Sequence, residues 1–235
     1  MAAGYSFRPR IWPLLLAAAA CAGAIALGNW QSRRADEKRA IGAELDAAMR
    51  AAPLDLSATA PAGAYVLKHV AARGSFVPAL TVLLDNKLRH GRPGYEVVTP
   101  LRLAGSDAHV MVDRGWLQVA PNRDKTPAVR TPAGEVRVEG LGLARLPHAL
   151  AAGAAEKGPV RQNLDLDAFA AESGLRLVPI VLQQHSNADD GLLREWPRPD
   201  AGIEMHQSYS LQWYSLAGLA VVLFVALSFR RAGAP

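Results

Sequence analysis

A histidine and two aromatic rings fall at helical spacing in the stretch Gly202-Ile203-Glu204-Met205-His206-Gln207-Ser208-Tyr209-Ser210-Leu211-Gln212-Trp213. On a helix starting near Glu204, His206, Tyr209 and Trp213 stand on one side, at steps of three and four. A neutral imidazole is a good axial ligand for haem iron, and an aromatic neighbour can pack on a porphyrin. The plainer alternative is a histidine that only hydrogen-bonds where the helix meets an interface. A second stretch, Leu27-Gly28-Asn29-Trp30-Gln31-Ser32-Arg33-Arg34 with Lys38 beyond, is the other candidate. Gln31, Arg34 and Lys38 recur at three and four, and Gly28 would let another helix approach closely. These residues could anchor a helix among lipid headgroups, or dock a membrane partner or the acid groups of a cofactor.

The remaining chemistry-bearing residues read as structural. His69, His109 and His148 fall on or near strand-like segments, His90 in a turn and His185 near a loop, with no metal-ligand spacing. They read as ordinary surface or edge residues. Asp113 and Arg114 alternate on a strand and so make no dyad, while Gly115 before Trp116 marks a bulge or a close backbone approach. No dinucleotide fingerprint, phosphate-binding loop, CxxC, HExxH or GxSxG is present, which weighs against the common enzyme classes. Lys and Arg number 26 against 21 Asp and Glu. That modest excess, without a basic patch interleaved with aromatics, argues against nucleic acid as a partner. The single Cys21 excludes an intramolecular disulfide and lies in an apolar run, as inert packing.

Two apolar windows must position these candidates: Ile11 to Gly28 and Trp213 to Phe229. The first carries no charge and would rise about 27 Å as a helix, close to the thickness of a bilayer core. Trp12 and Trp30 flank it, Tyr209, Trp213 and Tyr214 open the second, and Arg230-Arg231 close it. Backbone in hydrocarbon must pair internally, so both windows are expected to be transmembrane helices, over 11–30 and 209–229. A cleaved signal peptide, a lipidated Cys21 and a buried core helix are the competing readings. The positive-inside bias splits: Arg33, Arg34, Lys38 and Arg39 place the central region with the cytoplasm, and Arg230 and Arg231 place it across the membrane. Two spans put both termini on one side.

Between the windows lie a helical extension and connector over 31–52 and an extramembrane domain over 53–203. Pro53 stops the charged, Ala-rich extension. Strand signals cover Tyr65–Val70, Leu80–Leu88, Tyr95–Leu103, His109–Val119, Glu135–Leu143 and Leu175–Gln183, with Pro100 marking an edge or a bulge. A helix over Leu166–Ser173 is capped by Asp165 and ended by Gly174. Asn187 to Asp200 reads as a loop. Short turns favour antiparallel neighbours. The fold class is an α+β membrane protein: two transmembrane helices, one at each terminus, flank a mostly antiparallel β-sheet domain that holds at least one helix and curls toward a barrel.

Five segments stand in order along the chain: Leu27-Gly28-Asn29-Trp30-Gln31 with Arg34 and Lys38, then Gly94-Tyr95-Glu96-Val97-Val98-Thr99-Pro100-Leu101, then Val112-Asp113-Arg114-Gly115-Trp116. Gly134-Glu135-Val136-Arg137-Val138-Glu139-Gly140 follows, and Gly202-Ile203, His206, Tyr209, Gln212 and Trp213 complete the set. In order and spacing they together resemble the Surf1 family, the assembly factors of haem-copper cytochrome oxidases. The segment after Trp116 and the run Asn187-Ala188-Asp189-Asp190 depart from the family pattern. The resemblance implies a multi-pass protein of the bacterial inner membrane, with cytoplasmic termini and a periplasmic central domain. It implies an assembly factor for cytochrome c oxidase, not an enzyme, that binds haem a transiently and assists its insertion into subunit I. The alternative is a membrane scaffold that steadies subunit I without binding haem, and a periplasmic enzyme with a polar cleft is a third reading. His206 matches the haem-iron ligand. Trp30, Gln31, Arg34, Tyr209, Gln212 and Trp213 match candidate cofactor-binding positions, and Arg114, Gly115 and Trp116 match positions of less defined role. Subunit I is the implied partner, with haem a synthase, other oxidase assembly factors and the lipid bilayer as further candidates.

Overall fold

A computed structural model describes residues 5–59, 61–119, 127–147, 157–198 and 200–231; His148 lies outside them. In chain order the elements are β1 (Tyr5–Phe7), α1 (Ile11–Arg50), β2 (Leu54–Asp55), β3 (His69–Phe76), β4 (Val82–Arg89), β5 (Arg92–Leu103), β6 (Ala108–Gln118) and β7 (Glu135–Leu143). There follow β8 (Val160–Arg161), α2 (Leu166–Ser173), β9 (Arg176–Gln184), α3 (Ile203–Ser228) and β10 (Phe229–Arg231). They form two compact units, one of Met1–Glu44 with Pro197–Pro235 and one of Leu45–Trp196.

In the second unit, β3, β7, β9, β6 and β5 follow one another in the sheet, and β3 also pairs with β5, so five strands close into a ring. β2 and β8 are short parallel additions on β3 and β4. Side-chain alternation divides the packing. Val110, Val112, Ile180 and Leu182 join Leu101, Val138 and Val70 in the cluster to which all five ring strands contribute. Met111 and Val181, one residue out of step, pack instead with Phe169 of α2. The ring is tight enough to need bare backbone: a Cβ on Gly74 would stand 1.9 Å from the Arg102 carbonyl, and one on Gly140 1.8 Å from that of Gln183.

Several expected elements are present. α2 starts where Asp165 Oδ1 accepts from the Ala168 amide at 2.8 Å and ends at Gly174, φ 68°. The register between β5 and β6 slips at Val97/Val98, where two residues of β6 are spent against one. Gly115 there has φ 143° and approaches Leu192 and the Leu193 carbonyl, so both the bulge and the close approach exist. Pro100 falls where β5 changes partner, from β4 (last pair Val98 with Val82) to β3 (Leu101 with Phe76).

Other expectations are corrected. Tyr65 to Lys68 is a turn and the strand runs over His69–Phe76. Leu67 takes φ 56° and donates its amide to the Gly142 carbonyl at 2.8 Å, which breaks the alternation. The Ala-Ala-Arg-Gly run that follows has weak strand propensity, and ring closure overrides it. The β6–β9 pairing is parallel, because β9 returns after the long connection through β7, β8 and α2. His109 is buried, with Nδ1 unpaired, and burial holds its pKa below the usual value.

In the first unit, β1 and β10 pair antiparallel, so the start of α1 lies beside the end of α3. Each of these two helices is long and apolar enough to cross a membrane. α1 runs for 40 residues without a break, because Pro13 sits in its first turn, where no intrahelical amide bond is lost.

Candidate functional site

The helix pair is the element that positions the candidates, and its contact face has a regular step. Within the first unit, partly or fully buried positions on α1 recur at Ala17, Cys21, Ala24, Gly28, Gln31, Ala35, Lys38 and Gly42, alternating four and three. On α3 they are Ile203, His206, Ser210, Trp213, Ala217, Ala220, Phe224 and Ser228. A mean step of 3.5 keeps one seam facing the partner along both helices. The seam is built mainly of small and polar residues, with Trp213 and Phe224 among the few large ones, and the Leu and Val side chains point outward: Leu14, Leu15, Leu16, Leu216, Leu219, Val222 and Leu227 are all exposed. Close approach replaces hydrophobic contrast as the packing device. A Cβ on Gly28 would stand 2.6 Å from the Tyr214 ring, and one on Gly42 2.7 Å from Asp200 Oδ2.

Polar groups on the seam are paired across it. His206 Nδ1 lies 2.7 Å from Gln31 Oε1. An amide oxygen only accepts, so Nδ1 is the donor in this contact, and in a neutral imidazole so held Nε2 is the nitrogen with the lone pair. Ser210 donates to the Gly28 carbonyl at 3.2 Å and receives the Ser32 hydroxyl at 2.7 Å. Tyr214 donates to Asn29 Oδ1 at 2.7 Å, and Lys38 Nζ donates to the Ala201 carbonyl at 2.8 Å.

Of the seven sequence candidates, His206 and Gln31 are therefore brought together, and Trp213 sits half-buried on the same seam. Tyr209, Gln212 and Trp30 are exposed. Arg34 points outward and pairs with Glu37 at 2.7 Å, its side chain 56% exposed, while Gln31 and Lys38 on either side of it turn toward α3. A cavity of about 380 Å³ opens beside the seam, lined by Ser32, Ala35, Asp36, Arg39, Gln207, Ser210, Leu211 and Tyr214, none of them among the seven. Sequence reasoning missed Ser32, Ser210 and Tyr214 as seam residues. The step of 3.5 was a trace of Ser210 alone; Ser32 and Tyr214 lie beside the step and carried no such signal.

The donor set on the seam suits a haem iron. An axial histidine needs a free nitrogen with the other ring nitrogen held by an oxygen acceptor, and His206 with Gln31 has that form. Among the described residues no group of three His, Cys, Asp or Glu side chains converges to hold a bare metal ion.

In the sheet unit, Arg114 is fully buried and gives Nη1 to Thr131 Oγ1 at 2.8 Å, and Nη2 to the Arg130 carbonyl at 2.7 Å and to Asp190 Oδ2 at 3.0 Å. Burial lowers its pKa, and Asp190 works the other way. Asp190 also takes Arg194 Nη2 at 2.6 Å. Trp116 lies against Gly94, where a Cβ would come within 2.2 Å of the indole, and gives Nε1–H to the Lys87 carbonyl at 2.7 Å. Arg114, Gly115 and Trp116 thus tie β6 to the segments around residues 130 and 190. Asp190, set aside in the sequence as a departure, is the buried anion that makes Arg114 tolerable there. Asp113 faces the other way and is fully buried. Burial pushes its carboxyl well above the ordinary range, Glu96 adds to this, and Lys87 and Arg89 oppose it.

The SURF1 family model matches residues 18–218, most of the chain. The chain belongs to the SURF1 family. It is 28% identical to surfeit locus protein 1 of Mus musculus, across 94% of this chain and 76% of that one. It is 27% identical to the Homo sapiens protein of the same name, across 91% and 75%, and 25% identical to a SURF1-like protein of Monosiga brevicollis, across 88% and 83%. The SURF1 match takes in both sides of the helix seam, from Gln31 to His206, and the whole strand ring.

Proposed function

We propose that this protein is a membrane-anchored assembly factor for haem-copper cytochrome c oxidase, which holds haem a through His206 and assists its delivery to subunit I. Family membership supports the oxidase-assembly reading. The observation that carries the haem reading is the Gln31–His206 pair, in which Gln31 engages Nδ1 of a half-buried imidazole. Bound haem would supply a Lewis-acidic iron that an imidazole nitrogen of His206 could hold. Gln31 would keep the imidazole in the ligating tautomer, Trp213 and Tyr209 would offer ring faces, and Arg34 would have to leave Glu37 to meet a propionate. Such a role asks for no covalent chemistry from the chain.

Membrane insertion is supported by the inverted packing of the helices: in each apolar window only 11% is buried inside the protein, so the Leu and Val side chains have no protein to cover them. A bilayer would cover them. With Arg230 beyond α3, and by the family topology, the termini are cytoplasmic and the sheet domain lies in the periplasm, across the inner membrane.

The test is an absorption spectrum of protein purified from cells that make haem a. Wild type is expected to carry a Soret band and His206→Ala to lose it; a wild type without the band overturns haem binding. The outward display of Trp30, Tyr209 and Gln212 favours a second reading, a scaffold that grips subunit I without haem. Normal oxidase assembly with His206→Ala would select it.

A further inference from the structure

At the end of the helix pair away from His206, a cavity of about 380 Å³ opens between the start of α1 and the end of α3. Arg8, Arg10 and Arg230 line it, together with an apolar wall that includes Ala17, Ala220 and Phe224. The alanines leave the space that larger residues on the seam would fill. The arginines are held at it by the ribbon of β1 and β10: Ser6 pairs with Arg230, the rings of Phe7 and Phe229 stand 5.3 Å apart, and the Arg8 amide donates to the Ser228 carbonyl at 2.8 Å. No acidic residue occurs from Tyr5 to Ala35 or from Met205 to Arg231. Three guanidinium groups therefore share a cavity whose lining, among the described residues, holds no carboxylate.

We infer that this cavity binds one anionic diacyl phospholipid, with its phosphate among Arg8, Arg10 and Arg230 and the start of an acyl chain along the alanine-lined wall. The inference rests on the reading that both helices span a bilayer. The chemistry is complementary in both halves. Guanidinium groups grip phosphate oxygens in pairs, and a slot floored by Phe224 and alanines accepts methylene groups but no ion. A zwitterionic lipid would bring its own ammonium group toward three arginines, so the site discriminates for a headgroup without one. Basic pockets between membrane helices on the cytoplasmic side are a recurring form of lipid recognition.

The full chain is reconstituted in phosphatidylcholine nanodiscs holding a minor fraction of phosphatidylglycerol, and retained lipids are counted by native mass spectrometry. Wild type is expected to keep one phosphatidylglycerol. Arg8→Gln/Arg10→Gln/Arg230→Gln should lower that retention about tenfold or more, and the matching triple Lys variant should retain part of it. Ala220→Leu, which fills the slot and leaves the charges, should lower it too. Equal retention of the two lipids, or unchanged retention in the triple Gln variant, overturns the inference. Loss in that variant without loss in Ala220→Leu means surface attraction only, and overturns it as well. Alkaline carbonate extraction separates the two levels of failure. A chain that leaves the membrane defeats the membrane reading itself, and a chain that stays without lipid preference defeats only the site. Circular dichroism on each variant confirms that a loss is not a failure to fold.

Discussion

At the scale of single residues, a half-buried and a fully buried polar group have opposite relations to their surroundings. His206 is satisfied on one nitrogen by Gln31, 175 positions away in the chain. Gln31→Leu removes that acceptor and keeps a side chain of similar size on the seam. On the proposed haem reading, haem retention is expected to fall by about 10–100-fold, the usual effect of losing a ligand's hydrogen-bond partner. Haem titration of the purified variant checks this, with circular dichroism to show the helices intact, and undiminished retention would remove Gln31 from the site. Asp113 is the less satisfied group: its Oδ1 has no partner, and burial raises its pKa above the unfolded value. An acid raised on folding binds more protons folded than unfolded. Its contribution is therefore fully present below the unfolded pKa, near 3.8, and is lost as pH rises through the folded one. Asp113→Asn should raise stability at neutral pH by about 1–3 kcal/mol, and thermal melts across pH should show the decline above that unfolded pKa flattened. Equal pH profiles for the two proteins would place the dependence elsewhere.

At the scale of elements, the helix pair and the strand ring both depend on missing side chains. Gly28 faces the Tyr214 ring, while nothing lies within 4 Å of a Cβ placed on Gly23, one turn and a residue earlier. Gly28→Leu is therefore expected to cost about 1–3 kcal/mol as overpacking, and Gly23→Leu about 0.5 kcal/mol or less. Thermal unfolding in detergent should separate the two by several degrees, and similar melting points would mean the seam does not hold the pair. The ring has the stricter demand. At Gly74 and Gly140 the obstacle is backbone carbonyl, which has no rotamer to move. α2 contrasts with both. Its ends are set by Asp165 and Gly174 within a few residues, which is why its limits could be read from the chain alone.

At the scale of the whole molecule, the proposed insertion of both apolar helices would put both ends of the chain on one side of the membrane and the sheet domain on the other. Alkaline phosphatase fused into the Gly105-Ser106 turn is expected to be active and fusions at either terminus inactive; the reverse pattern would put the domain in the cytoplasm. What the chain alone determined is local in origin. The two apolar windows follow from length and lack of charge, the α2 caps from neighbouring residues, and most strands from alternation over a few positions. The bulge at Gly115 was legible because a glycine inside a strand has few other uses. The tertiary structure decided what depends on distant segments meeting. Ring closure between β3 and β5, the burial of Arg114 against Asp190 76 positions away, and the choice of Gln31 as the partner of His206 are of this kind. The helix seam belongs with them for a further reason. Its contact face is small and its outer face apolar, so no contrast between the faces marked it in the sequence, and only the approach of α3 showed which side of α1 was inside.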